Sequence, residues 1–554
     1  MVFSGNEIVT LQFGHYSNFI GTHWWNCQEA GFHYIPDTPS EINHDVLFRE
    51  GQTSRGEVTF TPRLLLVDLK GSLGCLPEEG RLYGTSPGPD TSLPLWPPDK
   101  VTVQSRASES KNEFLQDLEQ GETLATSLPT ELKKSGKAVP KLYHLDDSVR
   151  SWSDFLRPHL HPRNINLVQE YQHEDASLPF DTFPQGQAIW SSSRFNEEFT
   201  DRVRLYLEET DNLQGFQVLM DSYDGFSGLG CAALQHLRDE YPSKTCLCLP
   251  CQPPLATPLA SHRVLNVSLA LSSLAEHSSV FCPISGTTSG WRDLSKPVQL
   301  PHLQYKSDLY YHTSALVAAA VDTMSLVYRR QTGSERLADL TARLGMYGRR
   351  AVALSVGLPF PLGDGATLLD TLEQCEGPLT LPLTPLTDLQ AGVWQQTLVL
   401  RGVLESQIMR PDQRDLSSSN PAYSCRSLAQ LLRTFLQFNS QTAAPTQVYT
   451  AESALPTGAP FPHIFLPHIS AAGHRQDTPR PLHTGVEKVP VLAGLHSCQG
   501  LGSSLETLHN EAKRINIRSL HQFSSAGLES LELLESLEQL LCLSECYSDH
   551  QMHF

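Results

Sequence analysis

The stretch FQVLMDSYDGFSGLG (216–230) constrains this chain more than any other. An apolar run, FQVLM (216–220), leads into three glycines, Gly225, Gly228 and Gly230. An amphipathic stretch, LGCAALQHLRDEY (229–241), follows. That order is strand, glycine-rich turn, helix start. Such turns often cradle phosphate, because backbone N–H groups and the helix N-terminus point at the anion. Here an Asp precedes the first glycine, a Phe follows it, and no Lys is near.

Two earlier stretches have a related layout. NEIVTLQF (6–13) reads as a strand, and GHYSNFIG (14–21) turns into a helix carrying Trp24 and Trp25. RLLLVDLKG (63–71) is an apolar strand of the kind buried in a parallel sheet, ending at Asp68. Strands alternating with helices predict an α/β parallel sheet, whose ligands sit at the carboxyl ends of the strands. Those ends are GHYSN (14–18), Asp68 with its following loop, and SYDGFSGLG (222–230). Further on, the pattern predicts helices over 194–213, 265–277 and 308–330, a strand in 349–362, and two helical segments, 503–515 and 527–547. In the last of these, Leu531, Leu534, Leu537 and Leu541 share a face expected to pack on the chain's own core.

The 554 residues suffice for two to four domains, and 40% apolar residues suffice for sizeable cores. A net charge of −19 argues against a nucleic-acid partner and against adsorption to anionic lipid by charge. The start MVFSGNEIVTLQF reads as a strand, not a signal peptide. The most apolar stretch, TSALVAAAVDTMSLVY (313–328), is short for a membrane span and carries Asp322, so no transmembrane segment is expected. The twelve cysteines then read as reduced thiols of a cytosolic chain. CLCLPC (246–251) lacks a second cysteine pair and reads as a buried strand, and HLH (159–161) lacks a third ligand, so no metal site is expected. GFSGL (225–229) fails the nucleophile-elbow pattern at Leu229. Lys133, Lys134, Lys137 and Lys141 read as a solvated run.

Taken in order, these stretches resemble tubulin. NEIVTLQFGHYSNFIG (6–21), PRLLLVDLKG (62–71), LQGFQ (213–217), LNVSLALSSLAEHS (265–278) and LADLTARLGMYGRR (337–350) each look like a tubulin motif, and the final helix looks like tubulin's last long helix. GTHWWN (21–26), WSDFLRPHLHPRNI (152–165) and DGFSGLG (224–230) narrow the resemblance to the misato family, tubulin-related proteins associated with mitochondrial distribution and morphology. The resemblance implies a tubulin-like α/β fold: a parallel-sheet N-terminal domain of the nucleotide-binding type, an α/β intermediate domain and C-terminal helices. Along the chain this gives an N-terminal part (1–75), a flexible insertion (76–147) rich in Pro, Ser, Gly, Glu and Lys, and the N-terminal domain continued (148–300). A central helix with the intermediate domain (301–495) and C-terminal helices (496–554) complete it.

The departures from tubulin bear on chemistry. Tyr223 to Leu229 stand where tubulins carry Gly-Gly-Gly-Thr-Gly-Ser-Gly, so bulky Tyr223 and Phe226 replace residues where backbone approaches phosphate. Asp224 would add a carboxylate there, and two unit charges at 4 Å repel by about 4 kcal/mol at an effective dielectric of 20. Ala342 stands where the resemblance places the acid used for hydrolysis. The positions that still match the nucleotide-facing pattern are Gly14, Asn18, Asp68, Gly225, Gly228 and Asn266, and no catalytic residue is expected. The resemblance thus implies a non-enzymatic protein with a degenerate GTP site and no required cofactor. It would be cytoplasmic and peripheral on the mitochondrial outer membrane, acting with outer-membrane proteins and with links to tubulin or the cytosolic chaperonin. The alternative is a GTP-binding switch or a weak GTPase.

Overall fold

Local pattern becomes architecture through alternation of strand and helix. The first half runs β1 (Ile8–Phe13), α1 (His15–Ala30), β2 (Phe48–Gln52), β3 (Val58–Pro62), β4 (Leu64–Lys70), α2 (Glu113–Ser127) and β5 (Ile165–Gln172). It continues α3 (Phe183–Ser191), α4 (Ser193–Glu208), β6 (Gly215–Asp221), α5 (Gly225–Glu240), β7 (Thr245–Cys251), α6 (Ala260–His277) and β8 (Val280–Phe281). The second half runs α7 (Tyr310–Arg329), α8 (Leu337–Leu344), β9 (Ala353–Gly357), α9 (Leu368–Glu373), β10 (Leu381–Pro382), β11 (Val393–Arg401) and α10 (Leu428–Asn439). Then come β12 (Thr446–Ala451), β13 (Leu455–Pro456), β14 (Lys488–Val489), β15 (Val491–Cys498), α11 (Gly500–Lys513), α12 (His521–Ser525) and α13 (Ser530–Glu545). This computed structural model describes residues 6–32, 40–52, 56, 58–82, 110–127, 141–255, 260–389, 392–409, 421–439, 444–481, 483–517 and 520–548.

Six strands form one sheet in the order β5-β4-β1-β6-β7-β8, and every pairing in it is parallel. Register sets the level of the strand ends. Phe13 pairs with both Val67 and Met220, so the next residues, Gly14, Asp68 and Asp221, stand level at the carboxyl edge. The strands β6 and β7 are buried along their whole length, which is why they read as continuous apolar runs. A second, mixed sheet follows in the order β10-β9-β15-β11-β12.

Helix α7 lies between the two halves, packed on α1 and on β9, β11 and β15. Apolar residues ring it on all sides, and Tyr311 to Arg329 are all buried. The apolar stretch 313–328 is therefore core helix. Among the described residues no helix is long and apolar enough to cross a membrane. Its single carboxylate, Asp322, is clamped between Arg329 Nη2 at 2.7 Å and Arg401 Nη1 of β11 at 2.5 Å, with all three side chains at most 3% exposed. This triad ties the central helix to the second sheet.

Two expectations need correction. Within the 76–147 stretch, read as a flexible insertion, residues 83–109 and 128–140 lie outside the described residues, but the helix α2 packs on the turn at Trp152–Phe155. Phe114 and Leu115 of α2 are buried, Asn112 Nδ2 donates to Asp154 O at 2.7 Å, and Lys141 pairs with Glu113 and Asp117 at 2.6 Å each. The other lysines of the run, Lys133, Lys134 and Lys137, lie outside the described residues. In α13 the packed face is Leu533, Leu537, Leu540 and Leu543, whereas Leu531 and Leu534 are 63% and 55% exposed. With leucines on both series, periodicity does not choose the face; docking on α6 and α11 does.

Removing Asp322 strands two buried guanidinium groups. Asp322→Ala is expected to cost about 3–5 kcal/mol, while replacing all three partners by Leu or Met recovers most of it. Thermal unfolding followed by circular dichroism decides: a single variant as stable as the wild type would refute the structural weight given to the triad.

Candidate functional site

Helix α1 begins at a residue that cannot cap it. Its N-cap position, Gly14, has φ 107° and no side chain, so the first N–H groups need an acceptor from elsewhere. Asp221, at the end of β6, supplies it. Tyr16 N donates to Asp221 Oδ2 at 2.9 Å, Ser17 N to Oδ1 at 2.8 Å and Ser17 Oγ to Oδ1 at 2.7 Å. A carboxylate of the protein thus occupies the anion position that a helix N-terminus creates. Gly14 is required twice: its φ suits glycine, and a Cβ there would overlap the Asp221 carboxylate.

The glycine-rich stretch is already helix. Asp224 is the N-cap of α5, its Oδ1 accepting from Phe226 N at 2.9 Å. Gly225 N donates to Phe180 O at 3.1 Å and Ser227 N to Asp224 O at 3.2 Å. The first three N–H groups of α5 are therefore bonded to protein. The glycines serve packing. A Cβ on Gly225 would press on the Phe180 ring at 2.8 Å, and one on Gly228 would overlap the Phe183 carbonyl of α3. Gly186 of α3 meets Gly225 and Leu229 in the same way, so α3 and α5 cross backbone to backbone.

The remaining expected residues are also engaged. Asp68, fully buried, accepts from Trp152 Nε1 at 2.8 Å, Asn18 Nδ2 at 3.1 Å and Leu69 N at 2.8 Å, with His15 Nδ1 at 3.3 Å. Asn266 Oδ1 accepts from Phe183 N at 2.8 Å, and its Nδ2 donates to Asp181 O at 2.7 Å and Tyr223 O at 2.8 Å. Aromatic rings fill the space between the strand ends and α7: the Tyr310 ring centroid lies 5.2 Å from that of Tyr16 and 5.8 Å from that of Phe19. Gly14, Asn18 and Asp68 thus meet at the carboxyl edge, Gly225 and Asn266 brace the turn beside it, and Gly228 faces α3. Ala342 is exposed on α8 and presents only a methyl group. Sequence reasoning passed over Asp221, Trp152 and His173; a helix start with no capping side chain was the available signal for Asp221.

Electrostatics follow burial and partners. Burial pushes the Asp221 carboxyl up, to about 7, against the Ser17 and Tyr16 donors that pull it down. Burial and then the Asp221 charge push Asp224 well above the usual carboxylate range. At His15 burial pulls the pKa down, but Asp68 outweighs it and the net direction is up. At Asp68 burial works to raise the pKa, yet His15 and the Leu69 N–H take it below the usual range. In β7, burial raises Cys246 to about 12 and Cys248 and Cys251 well above their usual range, leaving these thiols inert. His161 Nδ1 accepts from Arg163 N at 3.1 Å and caps a turn.

A parallel sheet with ligand-type loops at its carboxyl edge, a long buried helix after it and a second mixed sheet define a tubulin-like protein. The Tubulin domain model accordingly matches residues 140–330, and the Misato Segment II tubulin-like domain matches residues 6–120. Protein misato of Drosophila melanogaster is 36% identical over 571 residues, covering 98% of this chain and 99% of its own. Protein misato homolog 1 of Danio rerio is 35% identical, covering 98% and 96%, and that of Homo sapiens is 35% identical, covering 99% of both. The chain belongs to the misato family.

Two substitutions test the site. Gly228→Ala is expected to destabilise the fold by about 1–3 kcal/mol or more, because α3 and α5 must separate; an unchanged Tm would refute the packing role. Asp221 and Asp224 hold protons in the folded state that the unfolded chain has released, so their contribution falls as pH rises from about 4 through the folded pKa values. Asp224→Asn keeps the cap and removes the charge. Its Tm should decline less than that of the wild type between pH 5 and 8 and stand about 2 °C higher at pH 8. Parallel pH profiles for the two proteins would show that the pair is not strained.

Proposed function

We propose that this chain is a non-enzymatic member of the tubulin-like class, in which protein groups take the place of nucleotide at the carboxyl edge of the sheet. The observation that carries this reading is the Asp221 carboxylate seated on the first N–H groups of α1. The internally bonded start of α5 supports it, as does the methyl group of Ala342. No cofactor is required. Following the family resemblance, the protein acts from the cytoplasm at the mitochondrial outer membrane and supports mitochondrial distribution, network shape and fusion. With net charge −19, attachment to an anionic surface depends on outer-membrane proteins. Tubulin or the cytosolic chaperonin is the second partner class.

Titration of the full chain with a labelled GTP analogue and Mg²⁺ should give no saturable binding tighter than about 1 mM. A micromolar Kd would overturn the proposal in favour of a GTP-binding switch. In cells, the protein should cofractionate with mitochondria, wash off in alkaline carbonate and be digested by protease added to intact organelles. Protection from that protease would place it elsewhere.

A further inference from the structure

Three metal-ligating side chains lie together at the carboxyl edge. His15 starts α1, Asp68 lies in β4, and His173 follows β5 directly. One ligand atom from each lies within 4.8 Å of the other two. His15 Nδ1 is 3.3 Å from Asp68 Oδ2, and the two imidazole centroids are 4.2 Å apart. The backbone sets this up. The β4–β5 register breaks between Leu69 and Lys70, and His173 N donates to Lys70 O at 2.9 Å, which brings His173 beside the end of β4.

We propose that His15, Asp68 and His173 bind a divalent transition-metal ion of the Zn²⁺ type, with water completing the coordination. Two imidazoles and one carboxylate are the donor set of open zinc-like sites, whereas Mg²⁺ and Ca²⁺ take oxygen donors. Bonds of about 2.0–2.1 Å at tetrahedral angles put donor atoms roughly 3.4 Å apart. The His15–Asp68 separation of 3.3 Å meets that distance, and rotation of the His173 ring supplies the third contact.

Two further observations fit an ion. The Asp68 carboxylate is oriented by Trp152 Nε1, Asn18 Nδ2 and Leu69 N, the outer hydrogen bonding that metal carboxylates carry. Asn18 is 1% exposed, and its Oδ1 has no hydrogen-bond partner among the described residues, although its Nδ2 touches Asp68. A metal-bound water is the donor that this oxygen lacks. Both histidines are partly exposed, so an ion has a path from solvent. The ion would cross-link the ends of β1, β4 and β5, and the proposal does not depend on whether nucleotide binds.

The test uses the full chain after chelator treatment. Zn²⁺ is titrated by calorimetry, and Co²⁺ serves as the spectroscopic probe. One equivalent should bind, and Co²⁺ should show visible ligand-field bands. His173→Ala should abolish those bands and weaken Zn²⁺ by about 100-fold, His173→Glu should restore part of the affinity, and Trp152→Phe should weaken it by about 10-fold. Should His173→Ala lose its fold by circular dichroism, His15→Gln makes the same decision. Absence of binding at 100 µM Zn²⁺ overturns the proposal. So does binding that folded His173 and His15 variants leave unchanged, since the ion would then sit on other histidines or cysteines.

Discussion

The contact between Asp221 and the start of α1 fixes more of this molecule than any other. An α-helix leaves its first N–H groups without acceptors, and α1 starts at a glycine that offers none. The acceptor comes from β6, a neighbouring strand in the sheet but distant in sequence. That bond sets the φ of Gly14, forbids a side chain there, and holds the ends of β1 and β6 level. When ionised, it also puts negative charge where the α1 dipole is positive. The desolvation cost of a buried carboxylate is offset by three donors within 2.9 Å. The offset is partial, since the Asp221 pKa still rises to about 7.

Around this contact the fold has two stiff joints. One is the α3–α5 crossing, where Gly186 and Gly228 let backbones touch. The other is the Asp322 triad, which couples the central helix to β11. Buried ion pairs seldom add much net stability, but they specify geometry, because a wrong register strands a charge. Helix α7 is buried on every face, and the triad adds a directional contact to β11 among its largely apolar ones. The helix α2 acts more locally: it covers the Trp152 turn, and Trp152 in turn holds Asp68.

The fold class was legible because its signals are local. Apolar runs followed by turns gave β1, β4 and β6, and the order of motifs gave the tubulin-like arrangement. The face of α13 was not legible, because leucines occupy both candidate stripes and only the partner helices choose between them. Order within 76–147 was not legible either, since α2 is held by Asn112, Lys141 and two buried apolar residues inside a polar stretch. In the site, Gly14, Asn18 and Asp68 were placed by motif. Asp221, Trp152 and His173 were missed because each acts through a contact with a residue far away in sequence. Three single residues, each ordinary in its own segment, carry no local signature.

The glycine-rich stretch meets backbone needs of its own. Two helix N-termini meet at this edge, and both need negative charge or acceptors whether or not a ligand is present. In a nucleotide-binding protein, phosphates serve that need. Here Asp221 serves α1 and Asp224 serves α5. Asp224, which in sequence looks like a group that would repel phosphate, is in the structure a helix cap. Burial raises the Asp221 pKa, and burial together with the Asp221 charge raises that of Asp224. Both shifts follow from holding two helix ends with buried side-chain carboxyls. The glycines persist for a separate reason, since a side chain at Gly228 would part α3 from α5. Position and composition of the stretch are thus both explained by backbone needs of the fold.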